Sequence, residues 1–475
     1  MHRISLLVMI SCLCSCLLFT NQGYAQQLAG DWHGNVAFLP IQLHITWDST
    51  AHRYKTTMDS PKQQAFGLPF NSFQVTDDSI TAGISTIQAT LSARIISPDS
   101  ISGKWQQGNN RVLLSLRRST LSITLPPRPQ EPLLPLPYRS EDVTYTNTDK
   151  SITYSGTLTT PLKGGPFPAV LLISGSGPQN RNSEFYGHKP FLVLSDYLTR
   201  QGIAVLRVDD RGTAQTTGIY ATATVTDFAV DARTNIAYLR SRKDLINPSS
   251  IGIIGHSEGG IIGPMVAAGN KDIAFLVMLA GPGAKGKDVL IAQNKALFQQ
   301  SGADTSALKT YLTLYGKLVD LCLEQDTTGL YVKANKLVQQ WETAQSSAVK
   351  AQFGITPANV GQQTQTFIRF MCKPEFKSIL AYDPQPFLRN IQCPVLALNG
   401  SKDLQVVPDF NLAGIAKICR DNGNKKVTTR ELPGLNHLFQ TASTGAPAEY
   451  SQISETFSPI AMELIGSWIK QQVSR

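Results

Sequence analysis

Ser257 stands in the run Ile251-Gly-Ile-Ile-Gly-His-Ser-Glu-Gly-Gly260, where an apolar β-branched segment ends in Gly255-x-Ser257-x-Gly259. Glycines flanking a serine at this spacing suit a sharp strand-to-helix turn that holds the serine in strained backbone geometry with its hydroxyl exposed. A serine hydroxyl is a weak nucleophile at neutral pH, so such a site needs a base to take its proton and donors to hold the oxyanion that forms. Downstream of Ser257 the chain has one histidine, His437, in Leu432-Pro-Gly-Leu-Asn-His-Leu-Phe439, just past an expected strand. The expected acid is Asp403, after the turn at Gly400 in Pro394-Val-Leu-Ala-Leu-Asn-Gly-Ser-Lys-Asp403. Asp409 is the fallback, though it lies further into the next segment. The order serine, acid, histidine is one of the arrangements in which this chemistry recurs. Asp403 would orient the imidazole and stabilise its protonated form without taking the proton.

The oxyanion donors should be the backbone N–H of the residue after the nucleophile, Glu258, and one from the loop after an early strand. That loop is expected at Ser174-Gly-Ser-Gly-Pro178, with Ser176 the expected donor and Gly177 the alternative. Asp209, Asp210 and Arg211 read as a structural ion-pair turn at a strand end.

Elements that could position these residues are legible. Continuous apolar strands are expected at Ala169–Ile173, Ile203–Val208, Ile251–Ile254, Phe275–Leu279 and Pro394–Leu398, with another at Val427–Leu432 and a hairpin before them at Val143–Tyr145 and Ile152–Thr159. Separated by helical lengths, they imply a mostly parallel sheet covered on both faces. Residues 290–377 hold no such strand and are rich in Ala, Gln, Leu and Lys at helical spacing, which reads as a helical cap inserted over the site. Residues 26–120 instead alternate in short runs such as Ile41–Trp47 and Ala89–Ile95, the pattern of a small antiparallel β-domain, barrel or sandwich. Gly30-Asp-Trp32 resembles the opening of lipocalin-like and avidin-like barrels. Between the two, residues 121–140 form an expected linker, with six prolines from Leu125 to Pro137.

Residues 1–25 read as a secretory signal peptide: Arg3, an apolar stretch from Ile4 to Phe19, and Gly23-x-Ala25 before the expected cleavage. Leu13-Cys-Ser-Cys16 offers a lipid-attachment alternative, but the apolar run continues past Cys16. A periplasmic or secreted protein is expected, with no later run of the ~18 apolar residues needed to span a bilayer. The net charge of +9 is spread thinly over 475 residues, which speaks against a nucleic-acid footprint. Cys322, Cys372, Cys393 and Cys419 fit no zinc spacing.

From about Val143 onward the chain resembles the α/β-hydrolase superfamily, and within it bacterial carboxylesterases of the lysophospholipase-like, serine-aminopeptidase-like group. The blocks that carry the resemblance include Gly156-Thr-Leu158, Ser174-Gly-Ser-Gly-Pro-Gln-Asn-Arg181, Val208-Asp-Asp-Arg-Gly212, Gly255-His-Ser-Glu-Gly259, Ala280-Gly-Pro282, Leu398–Asp403 and Pro433–His437. The resemblance implies an α/β-hydrolase fold with a Ser257–Asp403–His437 triad acting on a small-molecule ester, without metal or organic cofactor. Members of the group usually carry histidine where Ser174 stands and aspartate where Asn180 and Asn182 stand, so the oxyanion loop should be pinned differently here. The alternatives are a peptidase, aminopeptidase or thioesterase on the same triad, and a non-catalytic protein binding glycan or lipid through its β-domain.

Overall fold

A computed structural model describes residues 28–36, 39–49, 51–60, 65–107, 110–118, 127–324 and 328–474. The expected signal peptide and the first part of the linker lie outside the described residues. The chain separates into two compact units, the division falling between Leu125 and Pro126.

The first unit is one antiparallel sheet of β1 (Gly30–Val36), β2 (Leu39–Asp48), β3 (Arg53–Ser60), β4 (Ala65–Pro69), β5 (Ser72–Thr76), β6 (Ser79–Ile84), β7 (Ala89–Ser97), β8 (Ser100–Gln107) and β9 (Asn110–Arg118). The spatial order is β4-β3-β2-β1-β9-β8-β7-β6-β5, so consecutive strands pair except β4 with β5, and β1 closes on β9. Its two edges, β4 and β5, are consecutive in sequence, and Tyr54 and Phe73 meet edge-to-face at 5.7 Å between β3 and β5. The sheet therefore curls into an open up-and-down barrel rather than a sandwich. Period-2 patterning fills it: on β7, Ala89, Leu91 and Ala93 are buried while Thr90, Ser92 and Arg94 are exposed. Trp32 is fully buried, its indole N–H donating to the Leu28 carbonyl at 2.9 Å.

The second unit is built on β10 (Arg139–Thr146), β11 (Thr153–Thr160), β12 (Phe167–Ile173), β13 (Ala204–Val208), β14 (Ile246–His256), β15 (Phe275–Leu279), β16 (Val395–Gly400) and β17 (Val427–Leu432). Their order is β10-β11-β13-β12-β14-β15-β16-β17; β11 pairs antiparallel with both β10 and β13, and the other pairings are parallel. The crossovers carry α1 (Pro190–Arg200), α2 (Val225–Ser241) and α3 (Gly259–Ala267). Side chains alternate between two apolar layers: Leu171, Ile253 and Met278 enter one, Leu172, Ile254 and Val277 the other. All five residues of β15 are buried, as a strand covered on both faces demands.

Between β15 and β16 lies the cap, made of α4 (Gly286–Gln300), α5 (Thr305–Leu323), α6 (Leu330–Ala344), α7 (Ser347–Gln352), α8 (Val360–Met371) and α9 (Pro374–Leu380). After it come α10 (Gln385–Leu388), α11 (Pro408–Asp421) and α12 (Pro459–Val473). Among the described residues no helix is long and apolar enough to cross a membrane. The described part of the proline-rich segment is tied down rather than free: Arg128 donates to the carbonyls of Ser451 and Ile453, and Gln130 to that of Phe457.

Candidate active site

Ser257 sits at the end of β14 with φ +56°, a left-handed backbone that side chains other than glycine rarely adopt. The flanking glycines are sterically required. A Cβ on Gly255 would lie 2.0 Å from the Gly259 carbonyl oxygen, and one on Gly259 would lie 2.2 Å from that of Ile173. The Ser257 amide donates to the Leu279 carbonyl at 2.8 Å, which locks the turn onto β15.

Asp403 and His437 come together from the loops after β16 and β17. His437 Nδ1 donates to Asp403 Oδ2 at 2.9 Å, and both side chains are buried. Asp403 is held by three further donors: Asn399 Nδ2 on Oδ2, and the amides of Gln405 and Val406 on Oδ1 at 2.8 and 2.9 Å. A carboxylate so solvated by fixed dipoles can orient an imidazole without leaving its place. The fallback acid, Asp409, begins α11 and makes no hydrogen bond to His437. His437 stands beside the elbow, its ring 4.9 Å from that of His256, the residue before the nucleophile. Ser257 Oγ and His437 Nε2 are not hydrogen-bonded to each other, a contact that in unliganded sites often tightens only with substrate.

The loop after β12 brings its backbone against the nucleophile, a Cβ on Gly175 being 3.3 Å from Ser257 Cβ. Of the two donors weighed for the loop, Gly177 is already engaged: its amide donates to Glu375 Oε1 at 2.7 Å. Among the described residues neither the Ser176 nor the Glu258 amide donates to a protein acceptor.

Asp209 and Arg211 do form ion pairs at the strand end, with partners outside the turn. Asp209 takes the Arg181 guanidinium at 2.7 Å and Arg211 binds Asp231 at 2.6 Å, because the chain turns there and sends successive side chains to different elements. Asp210 accepts from Ser174 Oγ at 2.9 Å and the Gln179 amide at 2.8 Å. It therefore does the pinning of this loop in a chain without a histidine at position 174. Burial pushes its carboxyl up to about 7. Asn182 accepts from the buried Arg207 guanidinium.

A cavity of about 50 Å3 lies beside the loop, lined by Ser174, Gly175, Asp210, Tyr220, Phe228 and Glu258 among others. Burial, followed by the nearby Glu375 and Asp210 carboxyls, holds Glu258 well above the usual carboxylate range. His256 is pushed down to about 4, chiefly by burial and then by His437. Among the described residues no group of three or more His, Cys, Asp or Glu could hold a metal ion.

A serine elbow after the fifth strand of an eight-stranded sheet in the order 1-2-4-3-5-6-7-8, with an acid loop after strand 7 and a histidine loop after strand 8, decides the architecture. The chain carries an α/β-hydrolase domain. Residues 188–343 of this domain match the family model described as serine aminopeptidase, S33, a stretch that includes Ser257 and ends before Asp403 and His437. Esterase EstD of Thermotoga maritima is 31% identical over 173 residues, 36% of this chain; the match spans 40% of that relative's length. The domain also resembles solved structures. One is the Pyrococcus furiosus esterase Pf2001, with 15% identity, 74% of this chain and 98% of that chain covered, and a TM-score of 0.42. Another is Est1E from Butyrivibrio proteoclasticus with ferulic acid bound, with 15% identity, 70% and 100% covered, and a TM-score of 0.39. The α/β-hydrolase fold is identified by its strand order rather than by these likenesses.

Sequence reasoning missed two residues of the site. Glu375 lies in the cap, far along the chain from the loop it meets, and no motif marks it. His256 adjoins the nucleophile, yet only the structure shows its ring reaching the histidine loop.

Proposed function

We propose that the protein is an exported serine hydrolase that cleaves carboxylic esters through an acyl-enzyme. The observation that carries the reading is the buried His437–Asp403 pair set beside the strained Ser257 elbow. In this mechanism His437 takes the Ser257 proton as the hydroxyl attacks the ester carbonyl, and Asp403 stabilises the imidazolium. The Glu258 and Ser176 amides hold the oxyanion. His437 then protonates the leaving alcohol, and water, activated by the same imidazole, releases the acid. The partial identity to an esterase supports ester over amide substrates. Export rests on the leader-like residues 1–25.

A second reading, amide cleavage on the same triad, is favoured by the family model, whose description is that of an aminopeptidase. Hydrolysis of a p-nitrophenyl ester series from acetate to palmitate, beside a dipeptide naphthylamide, separates the two. Ester turnover that is lost in Ser257→Ala supports the proposal; naphthylamide cleavage without ester turnover replaces it with the second reading.

A further inference from the structure

Glu375 is a cap residue, on α9, yet its carboxylate ends in the oxyanion loop. Oε1 accepts the Gly177 amide at 2.7 Å and the Tyr220 hydroxyl at 2.6 Å, and the side chain is buried. The Glu258 carboxyl is a near neighbour: after burial, the charge of Glu375 is the chief influence that raises it. Oε2 of Glu258 is buried without a donor in reach. Two buried carboxylates as neighbours repel, which favours the neutral form of Glu258. Glu375 thus holds the amide next to one expected oxyanion donor, Ser176, and lies near the side chain of the residue expected to supply the other, Glu258.

We propose that Glu375 is a positioning residue that couples seating of the cap to assembly of the oxyanion hole, through its bonds to the Gly177 amide and the Tyr220 hydroxyl. The proposal rests on the ester-hydrolase reading above. By occupying the Gly177 N–H, Glu375 fixes the loop with the Ser176 N–H unclaimed. A second bond seats the same helix: Ser378 Oγ accepts the amide of Val225, the first residue of α2. The charged groups around the pair are Asp210 at the end of β13, Tyr220 on the following loop, and the Arg211–Asp231 pair that reaches α2. The lysines of α9's own segment point elsewhere, Lys377 to the Glu324 carbonyl and Lys373 to the Phe370 ring. Opening the cap would release the loop from both bonds.

The substitutions that test this are Glu375→Ala and Glu375→Gln in the full chain. A glutamine can still accept from the Gly177 amide and the Tyr220 hydroxyl through its oxygen, so it keeps the tie between cap and loop. Glu375→Ala is expected to lower kcat for p-nitrophenyl butyrate roughly tenfold with KM within about twofold, a fraction of the loss from deleting an oxyanion donor outright. Glu375→Gln should keep kcat within about threefold. Hydrogen exchange at the Gly177 amide should quicken in the alanine variant and not in the glutamine variant. Unchanged kcat and exchange in Glu375→Ala would overturn the proposal, as would a glutamine variant as damaged as the alanine one. Should the alanine variant not fold, Glu375→Gln decides alone: a tenfold loss of kcat or quickened exchange at Gly177 overturns the proposal. The exchange result holds without turnover, so a wild type inactive on every ester but with the expected exchange pattern would sink the ester reading and leave the coupling standing.

Discussion

The ring of His256 donates its Nε2–H to the main-chain carbonyl of His437 at 2.9 Å, so the residue before the nucleophile holds the loop that carries the base. Because burial depresses His256 to about 4, its ring stays neutral through the physiological range and this bond does not titrate there. His256→Ala should lower kcat roughly tenfold with little change in KM, since a base displaced by even ~1 Å loses much of its effect. Steady-state kinetics on a short-chain ester checks it. A fall confined to KM would mean that His256 shapes substrate binding instead.

Asp403→Asn should cut kcat by ~10³–10⁴-fold, because the amide favours the wrong imidazole tautomer and cannot balance its charge. Asp409→Asn should stay within about twofold of wild type, its helix position leaving it outside the hydrogen-bonded pair. Comparable losses in both variants would disprove the assignment of the acid.

Gly259→Ala places a methyl 2.2 Å from the Ile173 carbonyl, a backbone atom in a central strand that cannot swing aside. We expect a destabilisation of about 2–3 kcal/mol, the upper part of the range for overpacking, together with loss of turnover. Thermal unfolding of the variant measures the first effect. By contrast, a Cβ on Gly269 meets nothing within 4 Å, and Gly269 lies outside the elbow. Its φ of +67° still strains a substitution, so Gly269→Ala should cost stability and spare activity.

Two groups make stability depend on pH in ways that can be separated. Asp210 is raised to about 7 by burial, above its unfolded value of 3.8, so the folded state holds a proton that the unfolded chain releases. Its contribution is favourable at low pH and is lost as pH rises through about 7. Asp210→Asn should therefore gain on the wild type progressively between about 4 and about 7. His44 lies in the barrel between Asp31 at 2.7 Å and Asp59 at 2.9 Å, and the hydrogen bond to Asp59, followed by that to Asp31, raises it to about 9 against burial. Its contribution is present below the unfolded value of 6.5 and disappears as pH rises through about 9. Chemical denaturation of His44→Gln across that window, followed by Trp32 and Trp105 fluorescence, should show the difference from wild type shrinking to nothing.

The hydrolase core was readable because burial on both sheet faces writes itself as uninterrupted apolar runs: Phe275–Leu279 was expected and found with the same ends. The elbow was readable because Gly255 and Gly259 answer a steric need that no other residue meets. Closure of the barrel was not, since the Trp32–Arg118 pairing of β1 with β9 depends on curvature summed over the strands between them. Nor was the fate of Asp209, Asp210 and Arg211, whose partners Arg181, Ser174 and Asp231 are set by which way each side chain leaves a turn. Glu375 was invisible for a related reason. Its role depends on how the cap is seated, and a lone glutamate in a helix carries no local signature of that.

The central claim, that Ser257 forms the acyl-enzyme, is tested most directly by intact-protein and peptide mass spectrometry after treatment with a fluorophosphonate. The account predicts one adduct per chain, on Ser257, absent from Ser257→Ala and greatly slowed in His437→Ala. Ester turnover that survives the reagent, or an adduct mapped to any other residue in an active enzyme, would contradict it.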